Sequence, residues 1–219
     1  MIQGMIFDLD GTLFDSMFIW DTAGETYLRS IGKEPAEDLQ SILKPMSLYQ
    51  SASYLKAQYG IPLSVEEIMD GVNRTVEAFY LHSVLPKPGV IEMLEVLYWK
   101  GIRMCIATAT DRYQVEAALA RCSMSRFFSQ IFTCTEVGSG KDQPFIFRKA
   151  MEHLGTDRSN TVVVEDAWHA IRTAKNDGFM VAAIYDVHES MQRSICETAD
   201  IYLTDYFHID PLWKFASAI

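Results

Sequence analysis

The residues best equipped for chemistry lie together in Asp8-Leu9-Asp10-Gly11-Thr12, where two carboxylates two positions apart precede a glycine and a hydroxyl. In an extended chain, residues i and i+2 point the same way. If the chain turns at Gly11, both carboxylates can flank one reaction centre from different directions. One can attack a phosphorus atom, while the other protonates the leaving oxygen and later takes a proton from water. Crowding of like charges raises the pKa of one of them, which suits an acid, and glycine permits the tight bend. Three other places carry matching groups: Thr108, Gly140-Lys141 and Glu165-Asp166. Asp8, Asp10, Glu165 and Asp166 would repel strongly in a dry site, and a hard divalent cation with oxygen ligands relieves that repulsion. Magnesium suits such a set, because it takes few carboxylates and keeps positions for water and a substrate phosphate. The metal and Lys141 would neutralise a bound phosphate dianion, and Thr108 would add a neutral donor. Phosphoryl transfer needs this equipment, because its catalysis is mostly positioning and charge stabilisation.

Taken singly, each residue has a plainer role. An aspartate after a strand is commonly a turn former, and Thr108 competes with Asp111 for a helix cap. Lys141 could be a solvated lysine, and Glu165-Asp166 could complement a helix dipole. The joint pattern is what argues for a site, and the elements between these residues explain why.

Residues 4–7 form a short apolar run that ends in the acidic segment, which reads as a strand and a turn. Residues 17–31, 36–44 and 47–59 read as helices, and Ser64-Val65-Glu66-Glu67 opens a fourth that runs to about residue 82 through a capping box. No strand signal is evident between residues 15 and 85. Pro86-Lys87-Pro88-Gly89 is the clearest punctuation. Beyond it, helices at 90–100, 112–122, 144–154, 167–176 and 188–197 alternate with strands at 103–107, 130–134, 161–164, 180–185 and 201–203. Such alternation predicts right-handed βαβ units and a parallel sheet. The first strand needs neighbours for its backbone groups, so it joins that sheet. The expected fold is α/β: a core of residues 1–14 and 86–219, with residues 15–85 inserted as an all-helical lid. Open parallel sheets bind ligands beyond the carboxyl ends of their strands. Four strand ends would then bring the four carboxylates, the hydroxyl and the ammonium to one edge.

With the residues in that order, Phe7 to Ser16 resembles the first motif of the haloacid dehalogenase superfamily. Ile106-Ala107-Thr108-Ala109-Thr110 resembles the second, Gly140-Lys141 with Pro144 and Phe147 the third, and Val163-Val164-Glu165-Asp166-Ala167 the fourth; Lys87-Pro88-Gly89 matches the segment that re-enters the core. The resemblance implies a Rossmann-like core with a helical cap inserted after the first strand. It implies that Asp8 becomes an aspartyl-phosphate, that Asp10 is the acid/base, and that Thr108 and Lys141 hold the transferring group. Magnesium would be bound by Asp8, the Asp10 main-chain carbonyl and Asp166, with Glu165 beside it. Gly11, Thr12, Ala109 and the cap residue Lys44 fall to substrate binding. Two departures concern loop shape: Asp142 and Phe145 replace a proline and an acid in the third motif, and Ala167 and Ala170 replace a serine and a glycine after the fourth.

Dehalogenases and phosphonate-cleaving members of the superfamily lack the second aspartate, so Asp10 points to phosphate esters. The expected reaction is hydrolysis of small phosphate monoesters such as sugar phosphates or phosphoglycolate-like acids. A phosphomutase of the β-phosphoglucomutase type is the alternative, but its hinge histidine is replaced here by Trp20. A phospho-accepting receiver domain, the non-enzymatic alternative, would not need an insertion of this size. Substrate choice falls to the cap near Lys44-Pro45-Met46 and Tyr49. The formal charge of −10 disfavours nucleic acid as a partner. The acidic pair in the first ten residues is unlike a signal peptide, no apolar run approaches the roughly 18 residues of a membrane span, and the four cysteines lack CxxC spacing. These features lead to the expectation of a cytoplasmic protein with buried free thiols, either a monomer or a weak homodimer.

Overall fold

The computed structural model describes residues 2–43, 46, 48–209 and 211–212. The chain divides into two compact units, Met1–Asp15 with Val84–Ile219, and Ser16–Ser83. In chain order the first strands are β1 (Gly4–Phe7) and the two-residue β2 (Phe14–Asp15). The second unit follows with α1 (Met17–Ser30), α2 (Leu39–Leu43), α3 (Leu48–Tyr59) and α4 (Val65–His82). The first unit then resumes with β3 (Leu85–Pro86), α5 (Val90–Trp99), β4 (Arg103–Thr108), α6 (Arg112–Arg121), β5 (Ile131–Thr133), α7 (Cys134–Val137) and α8 (Phe145–Leu154). It closes with β6 (Thr161–Glu165), α9 (Trp168–Asn176), β7 (Met180–Ile184), α10 (Gln192–Thr198) and β8 (Ile201–Leu203).

Six of these strands make one parallel sheet in the order β5-β4-β1-β6-β7-β8. Helices cover both faces of such a sheet, so its strands are apolar throughout instead of alternating. Accordingly β1, β6 and nearly all of β4 and β7 are buried. Ile6, Cys105, Val163 and Val181 pack with Ile146, Phe147, Ala150 and Ile171 of α8 and α9 in a hydrophobic core cluster. The chain leaves β1 for β4 and β5 on one side, then crosses to β6 on the other. The strand order therefore reverses beside β1, where open α/β sheets bind their ligands.

The insertion unit is helical, as its periodicity predicts. The capping box at α4 is complete: the Glu67 amide donates to Ser64 Oγ at 3.0 Å, and the Ser64 amide donates to Glu67 Oε2 at 2.7 Å. Within this unit a cavity of ≈ 250 Å³ is lined by Met17, Trp20, Leu43, Met46, Leu55 and others.

The structure corrects four local expectations. Short strands do flank the insertion: β2 and β3 pair antiparallel, Phe14 with Pro86 and Asp15 with Leu85, and two residues are too few to give a periodic signal. The last helix starts at Gln192 instead of residue 188, because side chains of the preceding loop hold its amides. Asp186 accepts from the His188 amide at 2.9 Å, and Glu189 from the Met191 amide at 2.7 Å. The extra helix α7 is capped by Thr133, which accepts from the Glu136 amide at 3.2 Å. All four cysteines are free, yet only Cys105 is buried. Among the described residues no helix is long and apolar enough to cross a membrane.

Candidate active site

The loop after β1 folds back on itself. Leu9 accepts two amides, from Leu13 at 2.8 Å and Phe14 at 2.9 Å, and the Gly11 amide donates to the Phe14 carbonyl at 3.0 Å. This closure requires Gly11 at φ +74°, a region that costs a residue with a Cβ. Asp8 itself continues the sheet, its amide donating to Val164 O at 2.9 Å. Its carboxylate thus emerges at the carboxyl end of β1, beside the end of β6.

There it meets Lys141. The ammonium donates to Asp8 Oδ1 and, at 2.6 Å, to Glu165 Oε1. Lys141 arrives from the segment between α7 and α8. The other oxygen of Glu165 accepts the amides of Asp166 and Ala167, each at 3.1 Å. Glu165 is therefore engaged on both oxygens, one of them by Lys141. Asp166 is held differently: Thr12 Oγ1 donates to its Oδ1 at 2.9 Å. Asp8, Glu165 and Asp166 offer carboxylate oxygens that all lie within 4.8 Å of one another, and all three residues are buried.

Three buried carboxylates against one ammonium leave an excess of negative charge. Burial raises the Asp8 carboxyl to about 6, with Lys141 offsetting part of the effect and Glu165 adding to it. Burial, then Glu165 and Asp8, hold the Asp166 carboxyl well above the aspartate range. Burial alone would push the Lys141 ammonium down, but Asp8 and Glu165 more than reverse this, so Lys141 stays protonated. Buried carboxylates in excess over the one ammonium beside them suit a bound cation. The donor set is all oxygen, which suits a hard ion.

Thr108 ends β4 next to β1 and is fully buried, and Thr110 is 4% exposed. The Thr110 amide donates to Thr108 Oγ1 at 3.1 Å, and the Thr110 hydroxyl donates to Asp10 Oδ2. The Asp10 side chain is thus turned to the β4 loop and stands outside the Asp8–Glu165–Asp166 group. Ala109 is exposed between the two buried threonines. Gly11 and Thr12 are buried in the loop itself, Thr12 acting on Asp166. Lys44 lies outside the described residues, and nothing in the site is assigned to it.

Sequence reasoning placed Thr110 and Lys87 within motifs without giving either a role, and it did not single out Tyr206 or Asp186. Tyr206 is buried, and its hydroxyl donates to the Thr12 carbonyl at 3.0 Å. Lys87 donates to Asp186 Oδ2 at 2.7 Å and to Tyr185 O at 3.0 Å. The pair ties the segment after β3 to the loop after β7. Thr110 stands two residues after Thr108, a spacing that could have drawn attention to it. Tyr206 follows the first motif by 194 residues and carries no local signal.

Residues 5–184 match the family described as haloacid dehalogenase-like hydrolase. The chain belongs to that family. Several curated relatives are named as phosphatases. A phosphorylated carbohydrates phosphatase of Thermotoga maritima is 27% identical over 190 residues, 87% of each chain. The pyrophosphatase PpaX of Halalkalibacterium halodurans is 30% identical over 189 residues, 84% of this chain and 83% of that one. Among solved structures, a putative beta-phosphoglucomutase from Thermotoga maritima superposes with a TM-score of 0.80 at 22% identity, covering 100% of both chains. At that identity the likeness speaks to the fold. This haloacid dehalogenase-like hydrolase is accordingly an enzyme of the phosphoric monoester hydrolase type.

Proposed function

We infer that the chain hydrolyses small phosphate monoesters, sugar phosphates or phosphoglycolate-like acids among them, in two phosphoryl transfers through Asp8. The observation that carries this reading is the buried meeting of Asp8, Lys141 and Asp166 at adjacent strand ends, with the Thr108 hydroxyl on the next strand. In the first transfer an Asp8 oxygen bonds to phosphorus as the ester P–O bond breaks, and Asp10 gives the leaving oxygen a proton. In the second, a water oxygen bonds to phosphorus, its proton passes to Asp10, and the Asp8–phosphorus bond breaks. Phosphate leaves and both carboxyls return to their starting states. Lys141 and Thr108 hold the non-bridging oxygens, whose charge is what the site must stabilise. Glu165 keeps the Lys141 ammonium at that position.

Magnesium is the proposed cation, held by Asp8, the Asp10 main-chain carbonyl and Asp166. When bound, it supplies positive charge that screens the nucleophile from the anionic phosphoryl group. We assign residues 16–83 the role of a cap that selects the alcohol part of the substrate. Its own cavity supports this, lined by Met46 of the segment singled out in the sequence. The phosphomutase alternative would need a base near the first motif. Trp20 stands there instead, and its ring N–H donates to Tyr80 at 2.8 Å within the helical unit.

Phosphate release from a panel of phosphorylated metabolites, with magnesium and then with a chelator, tests the reading. Chelator-sensitive release concentrated on related monoesters is expected. Interconversion of hexose phosphates without release would overturn it in favour of the mutase.

A further inference from the structure

We propose that Thr110 is a positioning residue for Asp10, setting the carboxyl that exchanges a proton with the leaving oxygen. The inference rests on the phosphatase reading above and deepens it. The two threonines after β4 use their hydroxyls differently. Thr108 Oγ1 accepts the Thr110 amide at 3.1 Å, which ties the start of the loop into a tight turn and leaves the Thr108 O–H able to donate elsewhere. The Thr110 O–H is directed to Asp10 Oδ2, across 100 residues of sequence. Thr110 is 4% exposed, so the donor end of the bond is shielded from competing water. Asp10 itself is only partly buried and sits on a loop turned by Gly11. A carboxylate on a short side chain in that setting needs an external contact to fix its rotamer. Thr110 supplies one from the neighbouring strand end, and the turn that aims Thr110 is the one made by Thr108. One loop thereby sets both the group that holds the phosphoryl oxygens and the group that serves the leaving oxygen.

The chemical consequence is selective. In the first transfer the P–O bond to the leaving group breaks while Asp10 delivers the proton. An alkoxide must receive that proton, whereas a nitrophenolate leaves without it. Mispositioning Asp10 should therefore slow alkyl esters and spare activated aryl esters. The test measures kcat/KM of wild type, Thr110→Val, Thr110→Ala and Thr110→Ser on an alkyl phosphate, such as glycerol phosphate, and on p-nitrophenyl phosphate. The ratio kcat/KM covers the steps up to the first irreversible one, so slow dephosphorylation common to both substrates does not obscure it. The expected loss in Thr110→Val and Thr110→Ala is about 10- to 100-fold on the alkyl ester, the scale of a hydrogen bond to a charged group. It is within about threefold on the aryl ester, and Thr110→Ser restores most of the alkyl activity. Equal losses on the two esters would overturn the proposal and make Thr110 a structural or phosphate-binding residue. No loss on either would overturn it as well. Thr110→Ala guards against the added bulk of a valine methyl, since it only removes atoms. Failure of the phosphatase reading is separately visible, as absence of metal-dependent hydrolysis in the wild type.

Discussion

Replacing Lys141 with methionine removes the one ammonium bonded to Asp8 and Glu165 and keeps most of the side-chain volume. The three residues are buried, with 6% exposure for Lys141, 8% for Asp8 and 1% for Glu165. Removing one member of a buried ion pair costs about 3–5 kcal/mol, because the partner is left uncompensated. For a chain of this length each kcal/mol moves the melting temperature by about 2–4 °C, so the metal-free variant should melt roughly 6–20 °C below wild type near neutral pH. The penalty has a ceiling, because an orphaned carboxylate can take up a proton. Escape from an ordinary aspartate pKa near 3.8 costs about 5 kcal/mol at about pH 7.5 and about 2 kcal/mol at about pH 5.5. Asp8 already sits at about 6 in the intact site, and losing Lys141 moves it higher. A carboxyl whose folded pKa is raised loses stability as pH climbs from the unfolded value through the folded one. The gap between variant and wild type should therefore widen from acid to neutral pH. Thermal unfolding followed by circular dichroism, in chelator across that range, reads it directly. Equal melting temperatures, or a gap that widens towards acid, would refute the buried triad.

The same linkage predicts how a divalent ion acts on the wild type. Asp8 and Asp166 are both raised, so the metal-free protein loses stability as pH rises above about 4 and through the folded values. Magnesium should raise the melting temperature more at about pH 7.5 than at about pH 5.5; the reverse order would speak against a carboxylate site. Tyr206→Phe removes the donor to the Thr12 carbonyl and should cost about 1 kcal/mol in denaturant titration. It should also weaken magnesium affinity, since Thr12 in turn holds Asp166; unchanged affinity would separate the two contacts. Ser64→Ala breaks the capping box of α4 and should cost about 1 kcal/mol of stability, with magnesium affinity unchanged.

Much of this architecture is legible in the chain because the sheet is parallel. Strands such as Thr161–Glu165 and Met180–Ile184 are covered on both faces, so they appear as unbroken apolar runs between turn residues, and the groups that follow them fall at one edge. The capping box of α4 is equally legible because its two hydrogen bonds are three residues apart. Contacts made by single side chains over long separations are not. Nothing near Tyr206 says that it braces Thr12, and nothing near Asp186 says that it meets Lys87. The β2–β3 ribbon is hidden for another reason: a pair of two-residue strands has no period to detect. The loop before α10 escapes because Asp186 and Glu189 side chains replace the helical partners of its amides, and local propensity does not report that exchange. Glu165 is a finer case. Its type and place read as a metal ligand, and the bonds on both its oxygens, one of them to Lys141, are contacts that its sequence neighbours do not announce.

The most direct test of the account is to stop turnover with acid in the presence of magnesium, reduce with borohydride, and map the modified peptide by mass spectrometry. The account predicts homoserine at position 8, the reduction product of an acyl-phosphate on Asp8, absent in Asp8→Asn, absent in chelator, and matched by loss of phosphate release in the same samples. Hydrolysis that persists in Asp8→Asn, or modification at a different residue, would contradict it.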